Sequence, residues 1–222
     1  GGPTSAAYAN LTGTGGKILG ADISETILKV ARQRFANVKH LEFLTADAGT
    51  YAFEENNFDV VASRFGVMFF PDPIAAFSNI CRALKPSGRI SFMCWRNIKE
   101  NPWMAAPAAA AFSVLTPPEK PAPGTPGPFS LSDPTRVKEV LQIAGFKNVV
   151  CDGVEEQVKL GTADEALETL CNLGPAAAGL REASSADRDK ALGAMREVLE
   201  SHNTSTGVTM DGATWLVSAN LK

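Results

Sequence analysis

Short apolar runs that end in an acid, each followed by a helix-like segment, constrain this chain more than any other feature. Lys17-Ile18-Leu19-Gly20-Ala21-Asp22 is the first such run. Ser24 is placed to cap the helix after it, on which Ile27, Leu28, Ala31 and Phe35 form one apolar stripe. Leu41-Glu42-Phe43-Leu44 is the next run, with Asp47 just beyond it, and Phe58-Asp59-Val60-Val61-Ala62-Ser63 is the third. Pro73 then opens a helix with Ile74, Phe77, Cys81 and Leu84 on one face, which Lys85-Pro86-Ser87-Gly88 is expected to end as a turn. Arg89 to Trp95 is a fourth run. Strands separated by helices predict an α/β fold with a mostly parallel sheet and right-handed crossovers.

Beyond residue 100 the pattern changes. Prolines crowd between Pro102 and Pro128, which predicts a short helix over 103–115 and then an irregular loop. Asp133-Pro134 is an N-cap followed by proline at the first helical position. Val137, Val140, Leu141 and Ala144 then repeat at helical spacing until Gly145. Val149 to Leu160 is expected as a strand kinked at Gly153, 163–201 as helical, and Ala213 to Ala219 as a closing strand. The last two strands are expected to form an antiparallel hairpin. The whole of 1–222 is expected as a single domain, with 101–130 and 163–201 covering the pocket beyond the strand ends.

Composition narrows the function. The chain is 45% hydrophobic and 20% charged, with a formal net charge of −3, so it carries no basic footprint for nucleic acid. It contains no apolar run long enough to span a membrane and no basic-then-apolar leader. Cys81, Cys94, Cys151 and Cys171 are scattered, which predicts reduced thiols, no metal site and a cytoplasmic setting.

Acids at the ends of consecutive parallel strands are the strongest functional signal, because open sheets bind ligands there. A carboxylate at Asp22 can accept both hydroxyls of a ribose, with Asp47 in the equivalent place one strand on. The alternative is that Asp22 only helps Ser24 cap the helix. Gly13-Thr14-Gly15-Gly16 follows a helical stretch (Pro3–Leu11) and precedes a strand, so it is a turn and not a phosphate loop.

Taken in order, GGPTSAAYANLTGTGGKILGADIS, FLTADA, FDVVASRFGVMFFPDP, LKPSGRISFMCW and PFSLSDPTRVKEVLQIAGF resemble class I S-adenosylmethionine-dependent methyltransferases, in the branch similar to quinone-biosynthesis C-methyltransferases. The resemblance implies a three-layer, Rossmann-like fold and methyl transfer to a small, hydrophobic acceptor, with S-adenosylhomocysteine as product. It implies that Gly1 and Gly2 approach the methionine part of the cofactor and that Asp22 holds the ribose. Ile23 would pack on the adenine, Asp47 would accept its amino group, and the Ala48 backbone would meet the ring. Ser63 and Arg64 would line the methionine end. Phe65, Met68 and Phe69 would wall the acceptor side unless they are core residues, and Trp95 and Trp103 are further pocket candidates. No catalytic base is apparent. Arg64 is a candidate for holding an enolate or phenolate acceptor as its anion.

Two other functions fit parts of the pattern. A nicotinamide-dependent short-chain oxidoreductase shares the acids but needs Tyr-x-x-x-Lys, and Tyr8 and Tyr51 are followed at that spacing by Thr12 and Glu55. The other is a truncated or degenerate module without activity. In the family, the strand before the glycine loop lies between the strands expected at 17–22 and 58–63, and this sequence lacks it. The chain as given is therefore expected to be part of a longer polypeptide and to bind cofactor poorly alone.

Overall fold

A computed structural model describes residues 1–119, 121–122 and 124–221. Lys120 and Pro123, within the expected irregular loop, lie outside the described residues. The first half reads α1 (Pro3–Thr12), β1 (Ile18–Asp22), α2 (Glu25–Arg34), β2 (Leu41–Thr45), β3 (Phe58–Arg64), α3 (Pro73–Ala83) and β4 (Leu84–Trp95). The second half reads α4 (Pro102–Ala111), α5 (Pro134–Ile143), β5 (Phe146–Gly161), α6 (Ala163–Leu173), α7 (Ala177–Glu182), α8 (Ser185–Ser201), β6 (Asn203–Thr204) and β7 (Gly207–Leu221).

The expected alternation of strands and helices is present, and the capping chemistry explains where helices start. Ser24 Oγ accepts from the Ile27 N–H to start α2, and Asp72 does the same for Ala75 at the head of α3. Thr162 and Glu165 form a reciprocal capping box on α6. Gly13–Gly15 is a 3₁₀ turn between α1 and β1, as its position between helix and strand predicted.

The sheet is mixed. β1 pairs with β2 in parallel, Ile18 opposite Leu41 through Asp22 opposite Thr45. A second sheet runs in the order β3-β4-β7-β5, and β6 joins β7 antiparallel. The strands expected near 149–160 and 213–219 are thus neighbours. β1 and β3 have no strand partner on their remaining edges among the described residues. Neither strand contains a fully buried residue, whereas β4 buries Leu84, Gly88, Ile90, Phe92 and Cys94.

Other details differ from expectation. Lys85-Pro86-Ser87-Gly88 is not a separate turn: β4 begins at Leu84, directly after α3. Pro86 pushes the residue before it towards extended backbone, so the chain leaves the helix straight into a strand. The freed α3 carbonyls of Arg82 and Ala83 accept from the Asn56 and Asn57 N–H groups. Ile74 and Ile27 are exposed; α3 buries Ala76, Phe77, Asn79, Ile80 and Ala83, and α2 buries Leu28 and Ala31. The helical stretch expected over 163–201 is divided into α6, α7 and α8.

Contacts divide the chain into two compact units. Unit 1 comprises residues 1–92, 138–149 and the end of the chain from 218; unit 2 comprises 93–137 and 150–217. In unit 1, the Phe77 ring stacks on Phe92 at 5.4 Å and meets the Phe70 ring edge-on at 5.8 Å. Ala6 and Ala9 of α1 pack with Leu41, Ile18, Phe35 and Phe43. Glycine at position 20 makes the approach of α1 to β1 possible, because a Cβ there would lie 2.8 Å from Ser5 Oγ. In unit 2, Ala191, Met195 and Leu199, one helical turn apart on α8, pack with residues of α4, α6 and α7. Asn101 is fully buried there and fully bonded. Its amide donates to Arg96 O, Asn97 O and Ala213 O, and its Oδ1 accepts from the Ala213 N–H and from Trp103 Nε1.

Candidate cofactor site in unit 1

Parallel pairing puts the carboxyl ends of β1 and β2 on the same side, so the residues that follow them meet. The Ala46 N–H donates to Asp22 O at 3.0 Å, which joins the two strand ends directly. Each acid is braced by its own turn: Asp22 Oδ1 accepts from the Ser24 N–H, and Asp47 Oδ1 from the Gly49 N–H, both at 2.8 Å. The capping role expected of Asp22 as an alternative is therefore real, but it uses one oxygen. Oδ2 of Asp22 and of Asp47 take no partner among the described residues. Ile23, directly after Asp22, is 75% exposed.

β2 is also held from its outer side. Arg32 on α2 donates to Phe43 O at 3.3 Å and Thr45 Oγ1 at 3.2 Å, and pairs with Glu25. The Thr45 hydroxyl and then Arg32 hold the Glu25 carboxyl below its ordinary value.

Gly2 sits at the head of α1 with φ +85°, and a Cβ there would lie 3.0 Å from Ala31, Phe35 and Phe43 atoms. Both the left-handed backbone and the crowding require glycine, and they leave the backbone of the Gly1–Gly2 segment as the only surface it can offer. Ser63 and Arg64 end β3, in the other sheet, with Arg64 exposed. Pairing thus brings Asp22, Ile23, Asp47 and Ala48 together, and Ser63 and Arg64 are not hydrogen-bonded to that pair of strands.

The acceptor-wall candidates separate by burial. Met68 is 1% exposed and packed as core, whereas Phe69 stands 53% exposed. Phe65 has φ +63°, which a bulky side chain rarely adopts and which costs about 1–3 kcal/mol. Trp95 and Trp103 belong to unit 2, where their rings pack 5.2 Å apart.

Cys94, His40 and His202 have other employment. Burial, and then the neighbouring Cys151, push the Cys94 thiol up to about 12, so it holds its proton. His40 Nε2 lies 3.0 Å from Ala9 O, and His202 caps α8 with Nδ1 2.9 Å from Val198 O. Among the described residues no helix is long and apolar enough to cross a membrane.

Sequence reasoning did not find Asn79. It is buried on α3 and donates to Ala48 O and Tyr51 O, behind the loop that carries Asp47. No local pattern announces such a residue, because its partners lie about thirty positions away.

Residues 1–92 match a family described as a methyltransferase domain. The demethylmenaquinone methyltransferase of Staphylococcus epidermidis is 33% identical over 84 residues, 38% of this chain and 35% of the relative. That of Staphylococcus carnosus is 28% identical over 153 residues, 64% of this chain and 63% of the relative. The ubiquinone/menaquinone biosynthesis C-methyltransferase UbiE of Escherichia coli is 32% identical over 117 residues, 51% of this chain and 47% of the relative. The chain thus spans between about a third and under two thirds of these relatives. Among solved structures, YcgJ of Bacillus subtilis superposes with a TM-score of 0.58 at 14% identity, covering 99% of this chain and 89% of that one. Phosphoethanolamine N-methyltransferase 2 of Haemonchus contortus, in complex with phosphomonomethylethanolamine and S-adenosylhomocysteine, gives 0.52 at 18% identity, covering 97% and 46%. Identities this low show the fold alone. Neither the oxidoreductase nor the inactive module gains support from these relatives. Through residues 1–92, then, the chain is similar to the methyltransferase domain family, and the relatives named above agree with that match.

Proposed function

We propose that the chain binds S-adenosylmethionine across the ends of β1 and β2 and transfers its methyl group to a small, hydrophobic acceptor. The observation that carries this is the pair of acids at joined strand ends, Asp22 and Asp47, each with one oxygen braced by its own turn and the other without a partner among the described residues. Asp22 would take the ribose hydroxyls, Ile23 would lie against the adenine, and Asp47 with the Ala48 N–H would meet its polar edge. The Gly1–Gly2 backbone, Ser63 and Arg64 would hold the methionine end.

When bound, the sulfonium supplies an already activated methyl group. The protein's own contribution is then alignment of donor and acceptor, which is worth several powers of ten in rate. Phe65 and Phe69 would present an apolar wall to the acceptor, and Arg64 would hold it as its anion where it ionises. The quinone-pathway names of the relatives favour an acceptor with an apolar body and an ionisable ring hydroxyl.

The unpaired edges of β1 and β3, which contain no fully buried residue, fit one further strand between them. The proposal includes such a strand, covalently part of the working enzyme. Methyl-tritiated S-adenosylmethionine incubated with the protein and reduced naphthoquinols tests the activity. Label in the organic phase is the expected result. Cofactor binding without transfer to any phenolic or enolic acceptor, even with the strand supplied, contradicts it.

A further inference from the structure

The loop after β2 is held in place by one buried amide. Asn79 on α3 is 8% exposed, and a side chain with that burial must find hydrogen bonds. Its Nδ2 donates to Ala48 O at 3.1 Å and to Tyr51 O at 2.8 Å. Its Oδ1 accepts from Arg82 Nη2 at 2.8 Å, which fixes the orientation of the amide. Within residues 47–51 the other hydrogen bonds are internal: the Gly49 N–H donates to Asp47 Oδ1, and the Thr50 and Tyr51 N–H groups donate to Asp47 O. Ala76 and Phe70 close the same side, since a Cβ on Gly49 would lie 3.2 Å from each.

These bonds decide what the loop shows outward. A planar trans peptide points its C=O and N–H in opposite directions. With Asp47 O turned into the loop, the Ala48 N–H points away from it. Ala48 O, which Asn79 takes, belongs to the next peptide, whose N–H is the Gly49 donor to Asp47 Oδ1, so Asn79 fixes the peptide plane that follows the Ala48 donor and braces the Asp47 carboxylate. Asp47 Oδ2 and the Ala48 N–H then stand as an acceptor beside a donor, neither with a partner among the described residues. That pair matches a 6-aminopurine, whose amino group donates and whose N1 accepts. A 6-oxopurine presents the reverse and leaves both groups opposed.

We infer that Asn79, steadied by Arg82, is a positioning residue that sets discrimination for the 6-aminopurine. The inference rests on the proposed role of Asp47 and Ala48. It is tested by titrating the protein with S-adenosylhomocysteine and with S-inosylhomocysteine, its 6-oxo counterpart, in wild type, Asn79→Ala, Asn79→Asp, Arg82→Ala and Asp47→Ala. Amide hydrogen exchange is read on the same proteins without ligand.

Wild type should prefer the amino ligand, and Asn79→Ala should reduce the ratio of the two affinities by about tenfold or more, the scale of one lost specific hydrogen-bond pair. Exchange at Gly49, Thr50 and Tyr51 should quicken while that of α2 stays as it was. Asn79→Asp keeps the partner of Arg82 but sets a carboxylate against two carbonyls, so it should lose discrimination too. Arg82→Ala, at an exposed position, should give a smaller loss in the same direction. A merely structural role would weaken both ligands alike and keep the ratio, and that result overturns the inference. If Asp47→Ala lowers the ratio and neither Asn79 variant does, the inference fails and the nucleoside site stands. If Asp47→Ala changes nothing, or wild type binds neither ligand even with the further strand supplied, the site itself is wrong and the inference falls with it.

Discussion

Replacing Gly20 with alanine tests how closely α1 lies on the strand that carries Asp22. A Cβ at this position would stand 2.8 Å from Ser5 Oγ, 2.9 Å from Phe43 Cδ1 and 3.0 Å from Phe43 Cε1. The backbone itself raises no objection, since Gly20 is not among the residues with positive φ. By conformation alone, alanine would gain about 0.5–1 kcal/mol over glycine in a strand. Overpacking acts against it at about 1–3 kcal/mol. The Ser5 hydroxyl can rotate away, but the Phe43 ring packs against Phe35 at 6.5 Å between centroids and cannot move alone. The net expectation is a loss of about 1–2 kcal/mol, taking the middle of both ranges. Urea unfolding reads it as a lower midpoint at unchanged slope. Phe43→Leu in the Gly20→Ala background should recover part of the loss, giving a coupling of the two sites in a double-mutant cycle. An alanine variant as stable as the parent, or more so, refutes the packing of α1 on β1.

Other expectations follow from single sites. Phe77→Ala removes a fully buried ring that touches both Phe70 and Phe92, and should cost about 3–5 kcal/mol by denaturant melting. Cys94, buried with its thiol pushed up to about 12, should resist iodoacetamide in the native protein at mildly alkaline pH and react once unfolded; labelling as fast as a free thiol would contradict its placement. Glu165 is held below its ordinary 4.5 by the Thr162 N–H and hydroxyl, and Glu25 by the Thr45 hydroxyl and then Arg32. A depressed folded value contributes stability that is present above the unfolded value and lost as pH falls through the folded one. Glu25→Gln with Glu165→Gln should therefore flatten the fall in urea midpoint between about pH 5 and about pH 3, and an unchanged slope would count against both contacts.

How far these features were legible in the sequence depended on how local their causes are. α5 follows from Asp133, Pro134 and the buried Val137, Val140, Leu141 and Ala144 at helical spacing. The acids at Asp22 and Asp47 were legible because an apolar run ending in a carboxylate is a short pattern. Ile74 is exposed although it shares the spacing of Phe77, because spacing carries no information about how far along the helix the buried stripe extends. The early start of β7, at Gly207, was hidden by polar Asp211 and by Gly212, which interrupt its apolar run. Asn79 and Asn101 answer carbonyls brought near only by tertiary structure, so nothing beside them in sequence signals their role. The left-handed backbone of Phe65 is likewise a product of its surroundings.

Titration calorimetry of S-adenosylhomocysteine on the wild-type chain and on Asp22→Ala tests the cofactor site most directly. Loss of the hydrogen bonds that the unengaged Asp22 oxygen would accept should weaken binding by about 1.5–3 kcal/mol, the range for bonds to a charged group. The fold should survive, because Asp22 is only half-buried and contributes a single turn bond to Ser24. Equal affinity for the two proteins would contradict a nucleoside site at the ends of β1 and β2.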